Sequence, residues 1–188
     1  MKIELKKIAT VQTGYAFRSR LETEGDGAVA VIQMKDLSDD NRVDCNGLMR
    51  VDMESPKTHH LVRPGDLIFR SRGLTATSAI LRDDPGIAVV SAPLLRIRVN
   101  EQCVTPEYLN WFISQMPAQS YLVSRAIGTS QKMITKEALE SLVVSIPSLE
   151  RQRLITELAV LAEKEQSLLG ALAFKRRQYT SAILMQLT

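Results

Sequence analysis

Arginines, amides and hydroxyls recur beside turns in this chain, and these side chains bind phosphates and base edges in nucleic-acid complexes. Arg70 and Arg72 are two residues apart, so an extended segment places them on one face. An ordinary surface role is the more common one for any single arginine, so the prediction of a nucleic-acid surface rests on several such patches together. The others are Thr75 and Thr77, Arg18 and Arg20, and the loop residues Thr129, Ser130, Gln131 and Lys132.

Residue patterns of known catalytic sites are missing from the sequence. It holds no nucleophile elbow of the Gly-x-Ser-x-Gly type and no glycine-rich phosphate loop. His59 and His60 are adjacent, so we expect them to point apart rather than to hold a metal. The sequence therefore predicts a protein that is not an enzyme and needs no metal and no cofactor. A nuclease or methyltransferase with an unrecognised site is the alternative.

The composition is that of a globular protein. Of 188 residues, 45% are hydrophobic and 24% are charged. The sequence has no apolar run long enough for a membrane span or a signal peptide. Its two cysteines, Cys45 and Cys103, lack the spacing of a zinc site and are typical of a reducing compartment. We expect a cytoplasmic protein that does not contact the membrane.

The character of the sequence changes at Pro147. Before it, short β-branched runs are broken by Gly, Pro, Asp and Asn, and after it good helix-forming residues dominate. This contrast predicts an α+β fold, with a strand-rich mixed domain over residues 1–147 and one long coiled-coil-type helix over residues 148–188.

The long helix carries a seam of apolar residues spaced three and four apart. A helix of about 39 residues is about 58 Å long, more than a domain of this size can cover. We expect part of the helix to pair with another helix, and the alternative is that it folds back on its own domain. The seam consists of Leu154, Leu158, Leu161, Leu168 and Leu172, continued less regularly by Tyr179 and Ile183.

Alternation and turn residues predict the strands of the first domain. Residues 94–99 alternate, with Arg96 and Arg98 on the face opposite the apolar residues. Residues 80–82 and 87–90 flank the turn Asp83-Asp84-Pro85-Gly86, which favours a hairpin between them. Thr105 followed by Pro106 predicts the start of a helix.

Four segments of the chain form a recognisable series. They are Gly14-Tyr15-Ala16-Phe17-Arg18-Ser19, then Val31-Ile32-Gln33-Met34-Lys35-Asp36-Leu37, then Pro64-Gly65-Asp66-Leu67-Ile68-Phe69-Arg70-Ser71-Arg72-Gly73, and finally the loop 128–131 with Ile146-Pro147-Ser148-Leu149-Glu150-Arg151-Gln152. In this order they resemble the DNA-specificity (S) subunits of type I restriction-modification systems, over nearly the whole chain. On this resemblance Gln33 and Lys35 join the candidate DNA-binding residues.

The resemblance implies a target recognition domain followed by a helical spacer. Members of the family usually carry two of each, their spacer helices pair antiparallel, and each domain reads one part of a split DNA target. The implied partners are double-stranded DNA, DNA methyltransferase (M) subunits and restriction (R) subunits. A protein-interaction adaptor that acts through its long helix is the alternative.

Only one recognition domain and one spacer are present here, so the chain looks like a half-subunit, either natural, truncated or isolated. An identical helix from a second copy would cover the exposed seam. We therefore expect a homodimer that recognises a split palindrome, with half-sites about one turn of DNA apart.

Overall fold

A computed structural model describes residues 1–17, 27–38, 41–53, 56–73, 76–128 and 132–186. Short 3₁₀ helices lie at Leu5–Lys7, Met34–Asp36 and Thr58–His60. The α-helices of these residues are α1 (Pro106–Ser114), α2 (Met116–Ser124), α3 (Lys136–Glu140) and α4 (Leu149–Gln186). The strands are β1 (Lys2–Glu4), β2 (Ala9–Thr13), β3 (Val29–Ile32), β4 (Met49–Val51), β5 (Leu67–Phe69), β6 (Ser78–Ile80), β7 (Ala88–Val90), β8 (Leu95–Val99) and β9 (Val143–Ser145).

A four-stranded antiparallel sheet in the order β2-β8-β5-β6 forms the middle layer. Successive strand residues face opposite sides, so Leu67 and Phe69 pack in the core cluster formed with α1, α2 and α3. Ile68, between them, packs in a second cluster with residues of β3 and β7. Strand β5 is therefore covered on both faces, which explains why all three of its residues are buried.

The outer sheet has the order β4-β3-β7, with β3 and β7 parallel. This pairing shows that the hairpin expected across residues 83–86 is wrong. Strand β6 joins the middle sheet beside β5, whereas β7 joins the outer sheet beside β3. The turn therefore connects two sheets rather than two neighbouring strands.

Helix α1 begins where the sequence predicts. The hydroxyl of Thr105 accepts a hydrogen bond from the Tyr108 backbone N–H at 3.2 Å, and Pro106 occupies the first turn of α1. Thr135 caps α3 in the same way, accepting from the Ala138 N–H. The Tyr108 hydroxyl donates to the Ser145 carbonyl at 2.6 Å, which joins α1 to β9. Strand β9 in turn pairs antiparallel with β1.

Helix α4 confirms the long helix predicted from the sequence. Its 38 residues extend for about 57 Å. Ile155 packs against the main core, Thr156 and Ala159 are half-buried, and every residue from Val160 to Gln186 is exposed. The alternative of a helix folded back along its own domain is therefore wrong for most of its length. None of the described helices is both long and apolar enough to span a bilayer.

Candidate nucleic-acid interface

Segments far apart in sequence meet at one end of the two sheets. The C-terminal ends of β2 and β5 both lie beside Leu95 at the start of β8. The parallel strands β3 and β7 end beside them, because the Ser91 N–H donates to the Ile32 carbonyl at 2.9 Å and the Tyr15 N–H donates to the Val90 carbonyl at 2.6 Å. We call this end the loop edge, formed by residues 13–17, 33–37, 70–73 and 91–94 together with the described residues of 127–133.

Gly14 allows the first of these segments to enter the loop edge. A Cβ atom at this position would lie 2.6 Å from the carbonyl carbon of Ser91 and 2.8 Å from the Ala92 nitrogen. The Gly14 N–H donates to the Leu94 carbonyl and the Ala92 N–H donates to the Tyr15 carbonyl. Residues 14–15 and 91–94 therefore pack backbone against backbone, which only glycine permits at position 14.

Arg70 connects two segments of the loop edge. Its side chain is half-buried, and Nη2 donates a hydrogen bond to the Leu37 carbonyl. Its Nε is buried without a hydrogen-bond partner among the described residues. The backbone N–H of Arg70 donates to the carbonyl of Thr77, a half-buried residue at the same edge. Arg70 therefore holds the end of β5 against the 3₁₀ helix at Met34–Asp36.

Arg72 and Lys132 are both exposed, and Lys132 directly precedes the residue that pairs with Arg72. Arg72 forms an antiparallel bridge with Met133, which pairs in turn with Ile127. The Ile134 N–H donates to the Ser71 carbonyl at 2.8 Å. The structure thus places Lys132, from one predicted patch, beside the segment that carries Arg70 and Arg72, from another.

Gln33 and Lys35 lie where β3 ends at the same edge. The Gln33 backbone N–H donates to Asp36 Oδ2 at 2.8 Å, and its side-chain amide lies 3.3 Å from the sulfur of Met49. Lys35 is exposed. Burial raises the pKa of Asp36, against the effects of the Gln33 hydrogen bond and of Lys35. The remaining predicted contacts, Arg18, Arg20, Thr75, Thr129, Ser130 and Gln131, lie outside the described residues.

Asp66 holds the opposite end of β5, a role that was not predicted from the sequence. This carboxylate is 1% exposed. Its Oδ1 accepts from Arg98 Nε and its Oδ2 from Arg98 Nη2, both at 2.7 Å, and Oδ2 also accepts from the Arg63 backbone N–H at 2.9 Å. The hydrogen bond to Asp66 raises the pKa of Arg98. The Pro-Gly-Asp turn at residues 64–66, where Gly65 has a φ of +89°, is therefore a structural clamp between β5 and β8.

Arg96 is buried, although the alternation in β8 places it on the polar face of the strand. It pairs with Ile68 across β8 and β5, so both side chains point toward the outer sheet. Arg96 is buried, and its Nη1 donates to the Leu61 carbonyl at 3.1 Å. Burial lowers its pKa, and the neighbouring charge of Arg98 adds to the effect. Arg96 therefore holds the segment that precedes β5, and its burial removes it from the exposed candidate DNA contacts.

The two histidines do not point apart as expected. Their ring centroids are 4.2 Å apart, and the His60 ring meets Tyr15 edge-on at 5.4 Å. They lie in a 3₁₀ helix, where successive side chains turn by about 120° rather than 180°. Burial lowers the pKa of His60. The described residues contain no group of histidines, cysteines and acids that could hold a metal ion.

Comparisons of the sequence with protein families and with known proteins both point to type I restriction-modification specificity subunits. A family model described as type I restriction modification DNA specificity domain matches residues 1–158. The specificity subunit of the type I restriction enzyme EcoBI from Escherichia coli is 25% identical over 126 residues, which is 66% of this chain and 26% of that subunit. The chain therefore spans about a quarter of this curated relative.

Solved structures share the fold at low sequence identity. The HsdS subunit from Thermoanaerobacter tengcongensis has a TM-score of 0.62 and 20% identity, covering 89% of this chain and 37% of its own. A chain from a structure on complex assembly and conformational transition of the type I R-M system has a TM-score of 0.68 and 18% identity, with coverages of 90% and 39%. The S subunit from M. genitalium has a TM-score of 0.56 and 10% identity, with coverages of 94% and 42%.

Proposed function

The chain belongs to the family of type I restriction-modification DNA specificity domains, as the sequence resemblance predicted, and on this premise we propose that it recognises DNA without performing chemistry on it. Residues 1–147 form the recognition domain and read one half of a bipartite target. Residues 148–188 form the spacer that separates this domain from a second one. A cytoplasmic location, where DNA is accessible, accords with this role.

The observation that carries the proposal is the convergence at the loop edge. Four cationic side chains, Lys35, Arg70, Arg72 and Lys132, come from three segments distant in sequence and lie at one end of the sheets. Exposed Lys35, Arg72 and Lys132 can reach phosphates or guanine edges, whereas Arg70 holds the loops that present them. Loops on a rigid two-sheet support allow different targets to be read by the same fold.

Removing the exposed cations of the loop edge tests this surface. We expect Arg72→Ala and Lys132→Ala each to weaken DNA binding about tenfold. Each should also reduce the magnitude of the slope of log affinity against log salt by about 1, because a protein that makes one phosphate contact fewer releases fewer counterions when it binds. Fluorescence anisotropy with a labelled duplex, at several salt concentrations, measures both quantities.

Arg82→Ala is the matched control. Arg82 follows β6 at the end away from the loop edge, because Ile80 pairs with Leu67 and Ser78 with Phe69. It is exposed and lies 4.0 Å from Glu107. Its loss should leave DNA affinity unchanged. Equal losses of DNA affinity in Arg72→Ala and Arg82→Ala would mean that binding depends on the overall positive charge of the protein and not on the loop edge.

Binding of the unsubstituted chain that does not weaken as the salt concentration rises would favour the alternative of a protein-interaction adaptor.

We propose that α4 pairs with α4 of a second copy. The side chains of its seam, from Leu154 to Ile183, are between 40% and 71% exposed. At about 100° per residue they lie along one stripe of the helix. A stripe of this length that nothing in the described chain covers marks a protein interface.

The charges of α4 favour antiparallel pairing. Residues 157–165 hold three glutamates and one lysine, whereas residues 166–186 hold Lys175, Arg176 and Arg177 and no acid. An antiparallel register that sets Leu158 opposite Tyr179 of the second copy also sets residues 157–165 opposite 172–180. The acidic and basic segments then face each other, while a parallel pair would align like charges. Leu154 meets Ile183 in the same register, so both ends of the seam pair with apolar residues.

A second apolar stripe supports docking of further subunits. Val160, Phe174 and Met185 are 61%, 62% and 72% exposed and lie between about 120° and 160° around the helix from the seam. A two-helix pair leaves this stripe uncovered. We propose that it receives helices of the DNA methyltransferase subunits, and that restriction subunits join through them.

A further inference from the structure

Gln152 lies at the junction between the recognition domain and α4 and is 0% exposed. Its Oε1 accepts a hydrogen bond from the Thr105 backbone N–H at 2.9 Å. Its Nε2 donates to the carbonyls of Cys103 and Pro147, both at 3.0 Å. The amide group thus has three partners, two at the start of α1 and one just before α4.

The hydrogen bonds of Gln152 fix the orientation of its side chain, whereas apolar packing at the same position would not. An apolar side chain of similar volume could fill the same space in several rotations, because dispersion contacts have no preferred angle. The Gln152 amide satisfies one donor and two acceptors that belong to two segments. Both the tilt of α4 and its rotation about its own axis are therefore defined at its first turn.

The length of α4 amplifies any change in direction at this junction. From Gln152 to Gln186 the helix runs for about 51 Å. A change in tilt of about 10° moves its far end by about 9 Å. This displacement matches the rise of about three base pairs, at about 3.4 Å each.

We propose that Gln152 is a positioning residue that sets the direction in which α4 leaves the recognition domain, and thereby the number of base pairs between the two half-sites. The inference rests on the proposed function for its consequence on DNA, but the geometry of the junction can be measured without DNA. Gln152 is fully buried within the chain, so in this proposal it acts through the angle of α4 and not through a direct contact with DNA or a second helix.

The first test measures the direction of α4 in the full chain. Spin labels at Ser120→Cys on α2 and Ser181→Cys on α4, in a Cys45→Ser, Cys103→Ala background, report the distance between domain and helix. Labelled chain is diluted into excess unlabelled chain so that only distances within one copy contribute. We expect Gln152→Met, which keeps the volume but removes all three hydrogen bonds, to broaden or shift the distance distribution by roughly 5 Å or more.

Two further variants make the result decisive. Gln152→Glu keeps the Oε1 acceptor and removes both hydrogen bonds that Nε2 donates. It is the variant to measure if Gln152→Met fails to fold. Gln166→Met makes the same substitution at an exposed position of α4 and should leave the distances unchanged. A folded Gln152 variant with the same distribution as the unsubstituted chain would overturn the inference.

The second test reads the consequence on DNA. Selection of bound duplexes should give Gln152→Met the same half-site sequence as the unsubstituted chain, but with a changed or less uniform number of base pairs between half-sites. A merely destabilised domain would lose affinity at every spacing, so an unchanged spacing preference in the folded variant would refute the role of Gln152. If every version, unsubstituted chain included, fails to bind DNA while the distances still shift, the proposed function fails and Gln152 retains its effect on helix direction.

Discussion

Replacing Asp66 by asparagine is expected to lower the free energy of unfolding by about 3 kcal/mol. Both carboxylate oxygens accept hydrogen bonds from Arg98, and one also accepts from the Arg63 N–H. Either orientation of an asparagine amide would therefore place its NH₂ group against an N–H donor. The lost charge also leaves Arg98 without its counterion, although the 26% exposure of that side chain allows some compensation by water. Urea denaturation followed by fluorescence of the single tryptophan, Trp111, measures the change.

Asp83→Asn is the control for this experiment. Asp83 is exposed in the turn between β6 and β7, and its substitution removes the same charge from the chain. We expect a change of less than about 0.5 kcal/mol. Both proteins must be compared at one concentration, since the proposed dimerisation would add to the apparent stability. If Asp66→Asn unfolds at the same urea concentration as the unsubstituted chain, the ion pair with Arg98 does not hold β5 to β8.

Replacing Leu168 by glutamate is expected to weaken self-association at least 100-fold, which corresponds to about 2.7 kcal/mol. In the proposed antiparallel register Leu168 lies next to the twofold axis, opposite Leu169 of the second copy. The substitution removes an apolar side chain that the dimer would bury, and places a charge in the interface at two symmetric positions. Sedimentation equilibrium over a range of protein concentrations measures the dissociation constant.

Gln166→Glu separates the effect of the seam from that of added charge. Gln166 lies about 200° around the helix from Leu168, is exposed, and gains the same negative charge. This variant should remain a dimer. If both variants dissociate equally, charge repulsion along α4 controls association. A monomeric unsubstituted chain at high concentration would contradict the pairing itself.

Local features of the sequence predicted the elements well. Helix α4 follows from residues 149–186, where helix formers replace the turn residues of the first domain and no proline occurs. Thr105 and Pro106 marked the start of α1 because the Thr105 hydroxyl accepts from an otherwise unpaired N–H of the first turn, and Pro106 has no N–H to leave unpaired. These signals act within a few residues along the chain, so a single sequence reveals them.

Pairing between strands depends on segments far apart and was harder to predict. The run at residues 87–90 was recognised as extended, but its partner is β3, about 60 residues earlier, rather than the strand across the nearest turn. Alternation correctly placed Arg96 and Arg98 on one face of β8. It could not show that the outer sheet covers that face, since burial depends on what packs against a strand.

The roles of individual polar residues were only partly visible. The exposed cations Arg72 and Lys132 were identified by residue type, and the structure places them together. Asp66 and Gln152 lie within the segments that carried the family resemblance, but their contribution is the buried hydrogen bonding that joins β5 to β8 and α1 to α4. For Asp66 a signal exists, because it directly precedes the apolar run Leu67-Ile68-Phe69 and a polar residue buried there requires a partner. Gln152 is flanked by Arg151 and Arg153, so its burial gives no such signal in the sequence.

Selection of bound sequences from a pool of random duplex DNA tests the central claim most directly. The chain, as purified and without M or R subunits, should enrich one short sequence in two copies, inverted relative to each other and separated by a constant number of unselected base pairs, close to one helical turn. The inverted repeat in the selected DNA would show that two copies of the chain bind together. The constant number of base pairs between the repeats would show that α4 sets the distance between the two recognition domains. Enrichment of no sequence, or of a single uninterrupted site, would contradict the account.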